Sequence, residues 1–203
     1  EVFLCAKLFW WFSQGAAADW SLTPKPWYGC DGDKAFGIAG TPLGFAEEIE
    51  SREGAFPFHA FWGPQAGAGS SRWIAAAAGR ILRERRPNLT LVYLPHLDYD
   101  LQRFGVNDGG AFSARTLACL READACAGVV IDAARAIDAE VVVVSEYGLT
   151  DVSRPVYVNR LFRSHGLLQV RDGPFGETLD LFQSRAVAVA EHQVAHVYVR
   201  DAD

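Results

Sequence analysis

Two continuous apolar runs, "LTLVYLP" from Leu89 and "AEVVVVSEYG" from Ala139, flank one long amphipathic stretch. That alternation constrains the fold more than any other feature. Neither run shows the in-out alternation of a strand with one wet face, so each reads as a strand buried on both sides. The stretch between them, "SARTLACLREADACAGVVIDAARAID", has apolar positions at three- and four-residue spacing. It predicts a helix of about seven turns. Strand, helix and strand in that order form a crossover unit, and crossovers build parallel sheets covered by helices.

The expected fold class is therefore α/β, with a mostly parallel sheet flanked by helices and a small antiparallel addition near the C-terminus. "VFLCAKLFWWF" reads as a leading strand, and "SQGAAADWSLTPKPWYGCDGDKAFG", dense in Gly, Pro and Asp, as a long surface excursion. "TPLGFAEEIESREG" predicts a short helix capped by Thr41 with Pro42 in its first turn. Ser70 to Arg86 predicts a strong helix stopped by "RRPN", and "RPVYVNRLFRSHG" a helix closed by Gly166. "LLQVRDGPFGETLDLF" predicts a hairpin, and "AVAVAEHQVAHVYVRD" further strand. With no clear linker, residues 1–203 read as one α/β domain, in which about 167–203 can begin a cap or antiparallel subregion.

Charge narrows the partners. The 203 residues carry a net charge of −6 with both signs interspersed, which argues against a nucleic-acid polymer as ligand. No apolar run reaches the ~18 residues of a membrane span. Cys5, Cys30, Cys119 and Cys126 form no C-x-x-C pair, so they read as buried free thiols in a reducing compartment, and the chain as cytoplasmic. The chain begins at Glu1, contains no Met and shows no signal-peptide pattern; the expectation is a piece of a longer polypeptide.

Polar clusters follow both apolar runs. A crossover brings them to one edge of the sheet, where open α/β sheets bind ligands. After the first run come His96, Asp98, Asp100, Gln102 and Arg103. Asp98 and Gln102, four apart, share a face if the chain turns helical after Pro95, and two oxygen donors at that spacing suit a hard divalent ion. The same residues equally suit the decoration of a strand-to-helix turn. Asp100 and Arg103 read as a solvated local pair, and His96 as a support of the loop. The second run ends in Glu146 and Tyr147. A carboxylate buried at a strand end is costly without a partner, which singles out Glu146; Tyr147 is its neighbour or a packing aromatic. His192 and His196 share a face if "EHQVAHVYV" is one strand. "FWWF" and "FHAFWG" read as core or as a base- or lipid-binding wall.

"LTLVYLPHLDYDLQRFG", the long helix and "AEVVVVSEYGLTDVSRPVYVNRLFRSHGLL" together resemble the type I phosphodiesterase/nucleotide pyrophosphatase branch of the alkaline phosphatase superfamily. "KLFWWFSQGAAADWSLTPKPWYGCDG" is similar to a bacterial subgroup. The resemblance implies an alkaline phosphatase-like core and hydrolysis of a phosphodiester or phosphoanhydride bond in a small phosphorylated substrate. It also implies two divalent ions, usually zinc, and a Thr or Ser nucleophile. By the family's motifs Asp98 falls on a metal-binding aspartate and Gln102 where a histidine ligates. Glu146 falls on the aspartate of a D-H-G motif and Tyr147 on its histidine. Amide and phenol in place of two imidazoles remove the nitrogen donors zinc favours. Manganese or magnesium is one expected outcome and a lost zinc site the other, the latter giving a non-catalytic binding protein on the same fold. His96, His192 and His196 are second-tier candidates. The nucleophile is expected upstream of this chain, and oligomeric state is left open.

Overall fold

The structure is a computed structural model and describes residues 2–30, 33–108, 110–191 and 193–200. The chain divides into two compact units, Glu1–Asp151 and Val152–Asp203.

The first unit is built on strands β1 (Cys5–Leu8), β2 (Trp20–Tyr28), β3 (Lys34–Thr41) and β4 (Leu89–Val92), with helices α1 (Phe45–Glu53), α2 (Phe58–Phe61), α3 (Ala68–Arg85), α4 (His96–Phe104) and α5 (Ala114–Arg135). Its sheet has the order β3-β2-β1-β4. β1 pairs in parallel with β2 and with β4, and β3 adds antiparallel to β2. A two-residue ribbon, β5 (Asn107–Asp108) with β6 (Ala111–Phe112), separates α4 from α5.

Alternation on β1 sends Ala6 and Leu8 into the core. There they join Leu22 and Ile38 of the sheet, Phe45, Ala46 and Ile49 of α1, and Ile74, Ala77, Ala78 and Ile81 of α3. Phe9, Phe56, Phe61 and Trp73 pack edge-on or tilted at one end of this core, with Phe9 and Phe56 at 4.7 Å between centroids. The Trp73 indole donates to the Gly54 carbonyl at 2.8 Å, tying α3 to the end of α1. Gly40 lets α1 lie this close: a Cβ there would sit 2.6 Å from the Ala46 nitrogen.

The long helix forms as its pattern predicts. Ser113 caps α5 by accepting from the Thr116 amide, and Thr116, Cys119, Cys126 and Ala133 lie on one buried face. Cys119 and Cys126 are buried, as expected; Cys5 is only part-buried and Cys30 is exposed, so the reading of four buried thiols holds for two.

Three expectations are corrected in this unit. The supposed surface excursion holds β2 and β3. The short helix begins at Phe45, with Gly44 rather than Thr41 at its cap, because Thr41 still pairs with Ser21 in the sheet. The run from Ala139 to Gly148 forms no strand, and Val142, Val143 and Val144 are 76, 76 and 69% exposed. The second strand of the expected crossover is therefore absent, and the chain passes from α5 into extended, unpaired backbone.

The second unit comprises α6 (Val158–Ser164) and two hairpins, β7 (Gln169–Gly173) with β8 (Gly176–Asp180) and β9 (Ala186–Glu191) with β10 (Val194–Val199). Gly166 follows α6 with φ of 69°, as a helix-terminating glycine should. The Asn159 side chain clamps β9, donating to the Ala188 carbonyl and accepting its amide, both at 2.8 Å. The stretch expected as one further strand is this second hairpin. The expected architecture stands: a mixed α/β fold with a mostly parallel four-stranded sheet, helices against it, and small antiparallel hairpins toward the C-terminus. No helix among the described residues is long and apolar enough to cross a membrane.

Candidate functional site

β4 ends at Val92, and Tyr93, Leu94 and Pro95 lead directly into α4. The helix places Asp98 and Gln102 one turn apart on one face, and the Gln102 Nε2 donates to the Asp98 Oδ1 at 2.7 Å. From the other side of α5 the extended chain returns, and the Tyr147 hydroxyl donates to the same Asp98 carboxylate. Three of the four expected primary residues therefore meet at the carboxyl end of β4. Glu146 is close enough for its charge to act on Tyr93 and Tyr147, but it lies exposed rather than at a buried strand end.

The neighbourhood is phenolic and acidic. Burial first, then the charge of Asp98 and the influence of Tyr99 and Glu146, pushes the Tyr93 hydroxyl up to about 12. Partial burial and the hydrogen bond to Asp98 raise Tyr147 further above the ordinary phenol range, and Tyr99 rises for burial and for Asp98. All three are protonated donors at neutral pH. The Trp11 ring, which follows β1 at the same sheet edge, packs against Tyr93 at 5.7 Å. Lys7 donates to the carbonyls of Trp11 and Phe12 at 3.3 and 3.1 Å and holds that turn. Phe9 and Phe12 take left-handed backbone, φ 56° and 55°, which costs of order 1–3 kcal/mol each at non-glycine residues.

A clamp that the sequence reading missed fixes α4 to α5. Asp100 and Arg103 do pair, at 3.5 Å, but the Asp100 carboxylate is largely shielded and also accepts from the Cys119 thiol at 3.1 Å and from Arg115 at 3.3 Å. Burial raises the Asp100 pKa, but Cys119, Arg115 and Arg103 outweigh it and hold the carboxyl below its usual range. Burial and Asp100 together push the Cys119 thiol up to about 11, which makes it inert. Arg103 reaches away to the carbonyls of Gly63 and Ala66 at 2.6 and 3.0 Å, pinning the loop ahead of α3. Only the Cys119 heptad spacing hinted at a packed face, and nothing in the sequence pointed to its partner.

His96 is buried at the start of α4. Its amide donates to the Ser71 Oγ at 3.3 Å, and its ring is buried with neither nitrogen in a hydrogen bond of good geometry. Burial lowers its pKa against the raising influence of Glu122 and the Cys119 backbone, so the ring is neutral. Asp151 closes the extended segment by accepting from the Val106 amide at 2.7 Å and the Asn107 side chain at 2.7 Å. His196 lies exposed on β10 in the second unit, opposite Val189, and His192 falls outside the described residues.

The donor set does not fit zinc. Asp98 is already engaged by an amide N–H and a phenol O–H, no imidazole or thiolate joins it, and no group of three His, Cys, Asp or Glu gathers among the described residues. Chemically the cluster is an anchored carboxylate that aims two neutral side chains.

Comparison with known protein families matches residues 2–203 to Type I phosphodiesterase / nucleotide pyrophosphatase. No curated protein and no solved structure matches the chain at a significant level.

Proposed function

The chain belongs to the type I phosphodiesterase/nucleotide pyrophosphatase family, and from that premise we propose that it hydrolyses a phosphodiester or phosphoanhydride bond in a small phosphorylated substrate. The observation that supports this reading best is the meeting of Asp98, Gln102 and Tyr147 at the end of a parallel strand. Two segments separated by a whole helix converge there, at the edge where open α/β sheets hold ligands. In this reading Asp98 orients the Gln102 amide and the Tyr147 phenol, while Tyr93 and Trp11 form the apolar wall beside them. The nucleophilic hydroxyl is none of these residues.

Hydrolysis of bis-p-nitrophenyl phosphate by the full-length protein tests the reading, alone and with Zn²⁺, Mn²⁺ or Mg²⁺ added. Turnover is expected, with a loss of roughly 100-fold in Asp98→Ala as the two side chains lose their anchor. No turnover under any of these conditions would sink the proposal. A second reading, a binding protein on the same fold without turnover, is favoured by the two donors that stand where imidazole ligands are expected. It predicts saturable binding of the same diester with no nitrophenol released.

A further inference from the structure

We infer that Asp98, Gln102 and Tyr147 act as a hydrogen-bonded unit and are not ligands of a divalent ion. The inference rests on the reading of this edge as the substrate site and specifies how its side chains are used. A zinc ion needs lone pairs from about four groups directed at one point, roughly 2.0–2.3 Å away. Here the carboxylate that should lead such a set has its Oδ1 turned to the Gln102 N–H at 2.7 Å. The same carboxylate accepts the Tyr147 O–H. An ion on the Asp98 Oδ1 would meet the Gln102 N–H, and Gln102 or Tyr147 could join it as a ligand only by giving up its own hydrogen bond to the carboxylate.

Among the described residues no group of three His, Cys, Asp or Glu gathers round Asp98. Glu146 is exposed on unpaired backbone. Asp100, two residues along α4, is committed to Cys119 and Arg115. The phenol-carboxylate bond is the side-chain tie from the end of the exposed valine run to α4.

Ion content measured by elemental analysis decides the matter, with activity as a separate readout on the same samples. The full-length protein, Asp98→Asn and Tyr147→Phe are stripped with chelator, dialysed against Zn²⁺ or Mn²⁺, and counted. The expected result is the same ion content in all three, whether that is zero or reflects an ion held elsewhere. About one ion per chain in the wild type, lost in Asp98→Asn or Tyr147→Phe, would overturn the inference. Absence of diester hydrolysis in every sample would instead remove the functional reading and leave the ion count to stand by itself.

Discussion

Replacing Asp100 by alanine probes the clamp that sets α4, and with it Asp98 and Gln102, against α5. The Asp100 side chain is 21% exposed and accepts from Cys119 at 3.1 Å, with Arg115 and Arg103 at 3.3 and 3.5 Å. A shielded hydrogen bond to a charged group contributes about 1.5–3 kcal/mol, and a thiol, being a weak donor, falls at the low end. The arginine pairs add about 0.2–1 kcal/mol each at such exposure. Arg115 is 54% exposed and its guanidinium stacks 3.7 Å from the Phe104 ring centroid, so it keeps a partner when the carboxylate is gone. Alanine recovers roughly 0.5 kcal/mol in helix propensity. The net expectation is a loss of about 1–2 kcal/mol, a Tm drop of roughly 2–8 °C for a unit of this size. Urea unfolding at neutral pH, followed by circular dichroism, measures it in Asp100→Ala, Cys119→Ala, Arg115→Ala and the two double variants. Coupling between Asp100 and Cys119 should reach about 0.5–1 kcal/mol and exceed that between Asp100 and Arg115. A loss below about 0.3 kcal/mol, or coupling carried mainly by Arg115, would show that surface charge and not the packed thiol-carboxylate contact holds the helix.

Asn159→Ala should destabilise the second unit by about 1–3 kcal/mol, because it strands both backbone groups of buried Ala188. Hydrogen exchange at the Ala188 amide measures the change, and unaltered protection would refute the clamp. Asp151→Asn should change the acid sensitivity of the first unit. The Val106 amide, then Asn107, holds the Asp151 carboxyl below its ordinary value of 3.8. A depressed folded pKa gives stability that is present above the unfolded value and lost as pH falls through the folded one. The wild type should therefore lose its advantage over the variant on acidification below about pH 4, and a stability difference constant from neutral to strongly acid pH would contradict this.

The helices were legible because their patterns had no competing interpretation. In α3, "RWIAAAAGRILRER" combines strong helix formers with a buried stripe through Trp73, Ile74, Ala77, Ala78 and Ile81. In α5, Ser113 closes the first turn by accepting from the Thr116 amide. The β2–β3 hairpin was hidden by Pro24 and Pro26, which read as turn residues. β1 pairs with β2 only over Trp20 to Leu22, so both prolines lie beyond it, where one edge of β2 is open and a missing N–H breaks no ladder. The Asp100–Cys119 contact was invisible for a different reason: it depends on how two helices are rotated about their axes, which periodicity constrains only to a face.

The four valines show why the site could be read from the sequence even though one of its supposed strands could not. Their pattern argued for a strand, and the strand for a crossover that brings Tyr147 to the end of β4. The structure keeps the destination without the ladder. At one end of the run Ala139 packs with Leu82, Ala133 and Ala134 where α5 meets α3, and at the other Tyr147 reaches Asp98. The contact with α3 and α5 fixes the first point, and the side-chain bond fixes the second. What the sequence encoded robustly was the helix and the two polar ends. The exposed valines between are held through those ends, and just beyond Tyr147 the Asp151 carboxylate anchors the segment a second time by accepting from the Val106 and Asn107 amides.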